Sequence, residues 1–366
     1  MNIWHVEAKP SPRETNGLSN TVWLLAREQA QLGHRLTLVL KTPPSPEAIE
    51  TAKQARIEPI YIPWNRWGYN RPTLERQLRD RPPDLVHLHS VFIPKLADIA
   101  RHLHRRQIPY IITPHGGLNF RRNRLRKIVY SELVEKSRFA NAAAIAVLSA
   151  GEASTVRRFV PNYRGIVRPV NNPIETTDFE AIQWQGNTDS KRVIYLGRFD
   201  ILQKGIDILV EIARYLPEVD FHLYGTQEPK NKDWLVRLQQ TRSPNLQFHP
   251  PVFGSRKARQ LADACLYIQT SRWEGFAISI AEAMYLGVPC AVAENLYLAE
   301  PFRHDDLGLL LPCDPQQAAA RLAAVFDDPD RLHQWSARSR AFARSHFQPR
   351  AVAQEYLQLY EEVLRS

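Results

Sequence analysis

Val193-Ile194-Tyr195-Leu196-Gly197-Arg198-Phe199-Asp200-Ile201-Leu202-Gln203-Lys204-Gly205 opens the stretch on which the fold turns. Four apolar residues bounded by a glycine read as a buried strand, and Gly205 to Tyr215 reads as the helix that follows it. The same unit recurs along the chain. Downstream, Asp220 to Tyr224, Leu246 to His249, Leu266 to Gln269 and Cys290 to Val292 are short apolar runs separated by helices such as Ile278 to Leu286. Upstream, Asn2 to Val6, Leu36 to Leu40, Ile57 to Ile62, Leu85 to Leu88, Tyr110 to Thr113 and Ala144 to Leu148 form an earlier series, with a helix from Thr21 to a stop at Gly33. Buried strands alternating with helices predict parallel sheets covered on both faces, so two series predict two doubly wound α/β domains. The strand-poor segment Asn162 to Thr177, with Pro169 and Pro173, marks the joint. Domains are expected at 1–168 and 169–345, with a last helix in 346–366 crossing back to pack on the first.

A length of 366 residues suits two domains, and 44% apolar with 23% charged residues excludes disorder, collagen and coiled coil. No run approaches the roughly 18 apolar residues of a membrane span, and the start lacks a signal-peptide layout, so a cytoplasmic protein is expected. Three cysteines, Cys265, Cys290 and Cys313, without a close pair, predict buried thiols rather than a disulfide framework or a zinc cluster. The net charge of +10 is unevenly spread: residues 1–165 hold 26 basic and 13 acidic residues, the remainder 22 and 25. Arg101 to Arg138 alone holds ten basic against two acidic residues, a surface that attracts nucleic acid, anionic lipid or a phosphorylated ligand.

In open α/β sheets ligands bind beyond the carboxyl ends of the strands, so chemistry is sought in the loops that follow them. Gly197-Arg198 and Lys204-Gly205 offer a guanidinium fork and an ammonium near a helix start, a pair suited to a diphosphate. After Leu266 to Gln269 comes Thr270-Ser271-Arg272-Trp273-Glu274-Gly275-Phe276, then a helix from Ala277 that carries Glu282. Gly275 lets backbone amides approach an anion, and Glu274 and Glu282, at most roughly 12 Å apart on a helical rise, suit two ends of one extended ligand. Thr113-Pro114-His115-Gly116-Gly117 places an approachable histidine at a strand end, and Asn16-Gly17 precedes the helix from Thr21. P-loop, dinucleotide and serine-hydrolase signatures are absent from the sequence. Asp328-Pro329-Asp330 reads as a turn. Neither His87/His89 nor His102/His104 has a third metal ligand at suitable spacing, although His87 and His89, at a strand end, keep open a solvent-facing role.

G-R-x-x-x-x-x-K-G after a strand, then Glu274-Gly275-Phe276, Glu282 and Gly287-Val288-Pro289 resembles the retaining, nucleotide-sugar-dependent glycosyltransferases of family 4, of the GT-B fold. Pro83 to His89, Thr113 to Gly116 and the terminal helix extend the resemblance to nearly the whole chain, with the flavour of exopolysaccharide, capsule or lipopolysaccharide enzymes. The resemblance implies two Rossmann-like domains facing each other across a cleft, a UDP- or GDP-sugar donor, a glycan or lipid-linked acceptor, and no metal or cofactor. It implies that Arg198 and Lys204, after Gly197, hold the diphosphate, Glu274 the donor sugar, the amides near Gly275, Phe276 and Ala277 the distal phosphate, and Glu282 the ribose. His115 would face the transferred sugar, with Gly17 near the phosphates. Departures are Asn16-Gly17 where the family often has two glycines, and Gly225-Thr226-Gln227 where it often has G-x-G. Arg121, Arg122, Arg124, Arg126 and Lys127 are expected to form a basic helix that meets an anionic membrane or the acceptor. Alternatives kept open are a GT-B epimerase or phosphorylase and a nucleic-acid-binding protein, the last disfavoured because the basic stretch has few interleaved aromatics.

Overall fold

The computed structural model describes residues 1–8, 17–64, 68–121, 123–227, 231–241 and 243–366. It divides into two compact units, one of Met1–Ile174 with Phe347–Ser366, the other of Glu175–His346.

The N-terminal unit holds seven parallel strands: β1 (Asn2–Ala8), β2 (Arg35–Leu40), β3 (Ile57–Tyr61), β4 (Leu85–His89), β5 (Tyr110–Thr113), β6 (Ala144–Val147) and β7 (Ile166–Pro169), in the order β3-β2-β1-β4-β5-β6-β7. Strand β7 lies inside the segment that reads as strand-poor. It is a half-exposed edge containing Arg168 and Pro169, and an edge with one wet side has no continuous apolar run to announce it. Helix Pro349–Arg365 belongs to this unit and buries Val352, Tyr356, Leu359, Tyr360 and Val363 in one cluster with Val22, Trp23 and Leu25 of helix Gly17–Gln31. Burial of each large side chain is worth roughly 1.5–3 kcal/mol, which holds the returning helix in place. The chain leaves and re-enters the unit at one point, where the Ile174 amide donates to the Phe347 carbonyl at 3.1 Å.

The C-terminal unit holds six parallel strands: β8 (Arg192–Leu196), β9 (Asp220–Tyr224), β10 (Leu246–His249), β11 (Leu266–Gln269), β12 (Cys290–Ala293) and β13 (Leu309–Leu311), in the order β10-β9-β8-β11-β12-β13. Strand β13 is a three-residue edge that the sequence pattern does not reveal. Strand order reverses between β1 and β4 in one sheet and between β8 and β11 in the other. These are the positions where crevices open at strand ends. Cys265 and Cys290 are buried, whereas Cys313, expected inside, is exposed in the turn after β13.

Candidate functional site

In the C-terminal unit the reversal point brings the β8 and β11 loops together. Gly197 follows β8 and is bonded through its amide to the Tyr224 carbonyl at 3.0 Å. A Cβ on Gly225 would lie 1.7 Å from the Gly197 carbonyl, so this one glycine of the departed G-x-G is a packing requirement. Asp200 caps a single helical turn, Ile201–Lys204, by accepting from the Gln203 amide at 2.9 Å. Lys204 therefore ends this turn and, with Gly205 as the N-cap, stands at the entry to the next helix, Ile206–Tyr215. Gly205 follows in the left-handed region at φ 62°, where a Cβ would sit 2.2 Å from the Thr270 carbonyl. Thr270 Oγ1 in turn donates to the Gly205 carbonyl at 2.9 Å, pinning this turn to the end of β11.

That pinning delivers the Lys204 ammonium to Glu274, with Nζ 2.6 Å from Oε1. Ser271 Oγ (2.5 Å) and Gln269 Nε2 (3.1 Å) donate to the same oxygen. Gln269 is itself held by the buried Tyr267 hydroxyl, which lies 2.8 Å from Ser279 Oγ. Three donors on Oε1 fix the carboxylate, and Oε2 has no partner among the described residues. Arg198 sits exposed at the β8 end with one nitrogen 3.3 Å from Gln203 Oε1. The neighbouring Arg272 is a structural cation: its guanidinium forks onto Asp207 at 2.8 and 2.7 Å. Gly275, Phe276 and Ala277 lead into helix Ile278–Leu286, whose first turn has no side-chain cap and no acidic residue. Its amides thus present a partial positive charge. Glu282 on this helix is 6% exposed, which removes it from the ordinary solvent face, and it pairs with Lys257 at 2.5 Å. Sequence reasoning missed Lys257, Ser271 and Gln269, because a partner contributed by another element leaves no local spacing signal.

In the N-terminal unit the β5 end carries Pro114 to Gly117. His115 is held at φ 53° and Gly116 at φ 72°. Glu152 secures the turn by accepting from the amides of Gly116 (2.8 Å) and Leu148 (2.7 Å); burial raises its carboxyl and these two bonds pull it back down. Both ring nitrogens of His115 are engaged inside the protein. Nε2 lies 3.0 Å from His89 Nδ1, and Nδ1 lies 3.0 Å from Asn172 Oδ1. Gly17 opens helix Gly17–Gln31, while Asn16 lies outside the described residues.

His87 and His89 do not face solvent. Both are fully buried, because β4 is a central strand, and His5 lies in register with His87 on the neighbouring β1. His5 is thus the third histidine that chain spacing could not supply, and a ring nitrogen from each of the three lies within 4.8 Å of the others. All six nitrogens are already hydrogen-bonded, so a cation would have to break that network. His5 Nδ1 meets His89 Nε2 at 2.9 Å and His5 Nε2 meets Gln29 Oε1 at 2.8 Å. His87 meets the Tyr360 hydroxyl and Thr113 Oγ1, each at 2.7 Å. Burial pushes His5 and His115 down to about 4 and holds His87 and His89 well below the usual imidazole range. Of the second pair, His102 faces Glu75 at 2.9 Å. Asp328 accepts from the Arg331 amide at 3.0 Å, a helix-capping turn as expected.

The basic stretch is not one helix. Helix Arg124–Tyr130 passes into a π-helical turn, Ser131–Glu135, and then Lys136–Ala140. Arg121, Arg124 and Arg126 are exposed, and Arg122 lies outside the described residues. Lys127 departs from the expectation of a surface cation: its ammonium donates to the Asn119 carbonyl at 2.6 Å and lies 4.6 Å from the Phe92 ring centre, and burial lowers its pKa. Leu125 (79% exposed), Val129 (58%) and Leu133 (75%) project from the same segment and line a shallow groove of about 430 Å³. Charge counting did not reveal this apolar ridge.

Two family models match the chain, the glycosyl transferase 4-like domain over residues 16–171 and the glycosyl transferases group 1 domain over 177–342. The phosphatidyl-myo-inositol mannosyltransferase of Mycobacterium tuberculosis is 25% identical over 297 residues, 77% of this chain and 75% of that relative. Among solved structures, sucrose-phosphate synthase from Thermosynechococcus elongatus shares the fold with a TM-score of 0.79 at 19% identity, covering 100% of this chain and 99% of that one. The Anabaena protein HepE, solved in complex with UDP and glucose, shares it with a TM-score of 0.75 at 17% identity, covering 99% and 100%. Two Rossmann-like parallel-sheet units, each matched by a glycosyltransferase family model, place this protein among the GT-B glycosyltransferases of family 4.

Proposed function

We infer that the chain transfers a sugar from a UDP- or GDP-sugar to a glycan or lipid-linked acceptor, with retention and without a metal, in cell-surface polysaccharide biosynthesis. The observation that carries this reading is the Glu274 carboxylate, saturated on Oε1 by Lys204, Ser271 and Gln269 and open on Oε2. An oriented carboxylate of this kind suits sugar hydroxyls. Breaking an anomeric C–O bond leaves a diphosphate with growing negative charge. Arg198, Lys204 and the amides of Gly275 to Ala277 stabilise it, while Glu282, oriented by Lys257, takes the ribose diol. Gly17 lets backbone approach the phosphates. His115, with both ring nitrogens bonded within the protein, borders the transferred sugar as a fixed neutral ring rather than as a proton donor. Thermal shift with UDP, GDP, ADP and their common sugar conjugates is expected to single out one nucleotide. Product analysis should then give the retained anomer at an undiminished rate in EDTA, and only with acceptor present. Inverted product, a metal requirement, or conversion of the donor without acceptor would overturn the reading.

The acceptor side of this reading is a membrane surface. Arg121, Arg122, Arg124 and Arg126 would each gain about 1 kcal/mol at an anionic leaflet, and the Leu125, Val129 and Leu133 ridge adds apolar contact beside them. No helix among the described residues is long and apolar enough to cross a membrane, so any attachment here is at the surface. Co-sedimentation is expected with anionic but not neutral vesicles, to weaken with salt, and to fall at least fivefold when the four arginines become glutamine. Equal recovery on both vesicle types would leave a soluble acceptor instead.

A further inference from the structure

Four hydrogen bonds run in series through the N-terminal unit, from Gln29 through His5, His89 and His115 to Asn172. Each bond needs one proton between its two heavy atoms, and three neutral imidazoles supply three. A fourth proton on the rings would place an imidazolium at the wholly buried His5 or His89 or at the half-buried His115, and burial opposes the charge at each. The missing donor is therefore an amide NH2 at one end of the chain. That leaves two neutral arrangements. With the Gln29 carbonyl toward His5, every ring carries its proton on Nε2 and Asn172 donates to His115. With the Gln29 amide nitrogen toward His5, every ring carries it on Nδ1 and Asn172 accepts.

Gln29 also touches the side branch, which follows the same rule. Its Nε2 lies 3.4 Å from the Tyr360 hydroxyl, which meets His87 Nδ1, while His87 Nε2 meets Thr113. With the carbonyl toward His5, the amide donates to Tyr360, Tyr360 donates to His87 Nδ1, and His87 Nε2 donates to Thr113. The fourth histidine thus takes the same tautomer as the other three. Gln29, wholly buried, is the residue that the two branches share among the described residues. The structure sets the Gln29 carbonyl on His5 at 2.8 Å and the Asn172 carbonyl on His115 at 3.0 Å, and neutral rings allow only one of the two; Gln29 keeps its placement because its amide nitrogen also reaches Tyr360, so Asn172 turns its amide nitrogen to His115. That exchange of the two similar ends of the amide group moves no other atom.

We propose that Gln29 sets the tautomer of His5, His87, His89 and His115 as a block, with every proton on Nε2, and that His5 and His89 are positioning residues for His115. This uses the proposed place of His115 beside the transferred sugar only for its kinetic consequence. The tautomer itself needs no substrate to be seen. Long-range 1H–15N correlation on the full chain labelled in histidine should show four neutral rings protonated on Nε2. Mixed tautomers among the four, or an imidazolium at pH 7, would overturn the proposal. Gln29→Met removes both the carbonyl and the amide; His115 should then lose its single-tautomer signature, and kcat should fall at least fivefold with the donor KM within twofold. Thr113→Val deletes a bond of the side branch alone and serves as the control for general loosening. It should leave the His115 tautomer as in the wild type. An unchanged His115 signature in folded Gln29→Met, or the same change in Thr113→Val, defeats the block mechanism. A wild-type protein with the Nε2 signature but no sugar transfer would instead defeat the functional reading and leave the chain of bonds standing.

Discussion

Lys204→Ala is expected to lower turnover at least about tenfold, since one lost charge-assisted phosphate contact is worth roughly 1.5–3 kcal/mol. The structure adds a second consequence. Lys204 is the cationic partner of Glu274, whose side chain is 5% exposed, so removing the ammonium strands a buried carboxylate. A bare buried charge left this way costs roughly 3–5 kcal/mol. Here Ser271 and Gln269 still donate to Oε1, so the loss of stability should fall short of that range. Pairing Lys204→Ala with Glu274→Gln should restore much of the melting temperature without restoring activity, because the uncompensated charge goes but the phosphate contact does not return. Kinetics and thermal melts on both variants check this. A folded Lys204→Ala enzyme with full turnover would remove Lys204 from the reaction.

Acid should unfold the N-terminal unit through its buried histidines. An unfolded histidine titrates near 6.5, and His5 and His115 are held down to about 4 in the fold. Between those values the unfolded chain binds protons that the folded chain refuses, so stability falls as pH drops from about 6.5 towards 4. Above 6.5 these groups contribute no slope. One such displacement amounts to about 3 kcal/mol, and His87 and His89 shift in the same direction. Glu152 opposes it, because burial raises its carboxyl and acid favours its buried neutral form. Denaturant melts at pH 7.5, 6 and 5 should show a falling midpoint. A midpoint constant from pH 7 to 5 would mean that the four rings are not held neutral in the fold.

Strands β8 and β11 announce themselves because a strand covered on both faces is mostly apolar along its length, and β1 and β4 do so despite their buried histidines. The edges β7 and β13 do not, since one side is wet and the run is short. The loops after β8 and β11 were legible as candidate binding loops because parallel topology puts ligands at strand ends. That Lys204 meets Glu274, that Lys257 meets Glu282, and that Lys127 turns inward to Asn119 were not legible. Each depends on where a third element places a side chain.

The sequence by itself determined two parallel α/β units, their strand ends, and the cations and carboxylates that follow them. Those properties follow from periodicity and local turn chemistry, which act over a few residues. Only the tertiary structure decided which of these groups are partners and which are buried. His5, His87, His89 and His115 come from two strands and one loop up to 110 positions apart, and they form one network because β1 and β4 are neighbours at the reversal of strand order, with Gln29 and Tyr360 arriving from separate helices. Hydrogen bonding and desolvation act through space. Residues so far apart along the chain acquire a common charge state only once the sheet has brought them together.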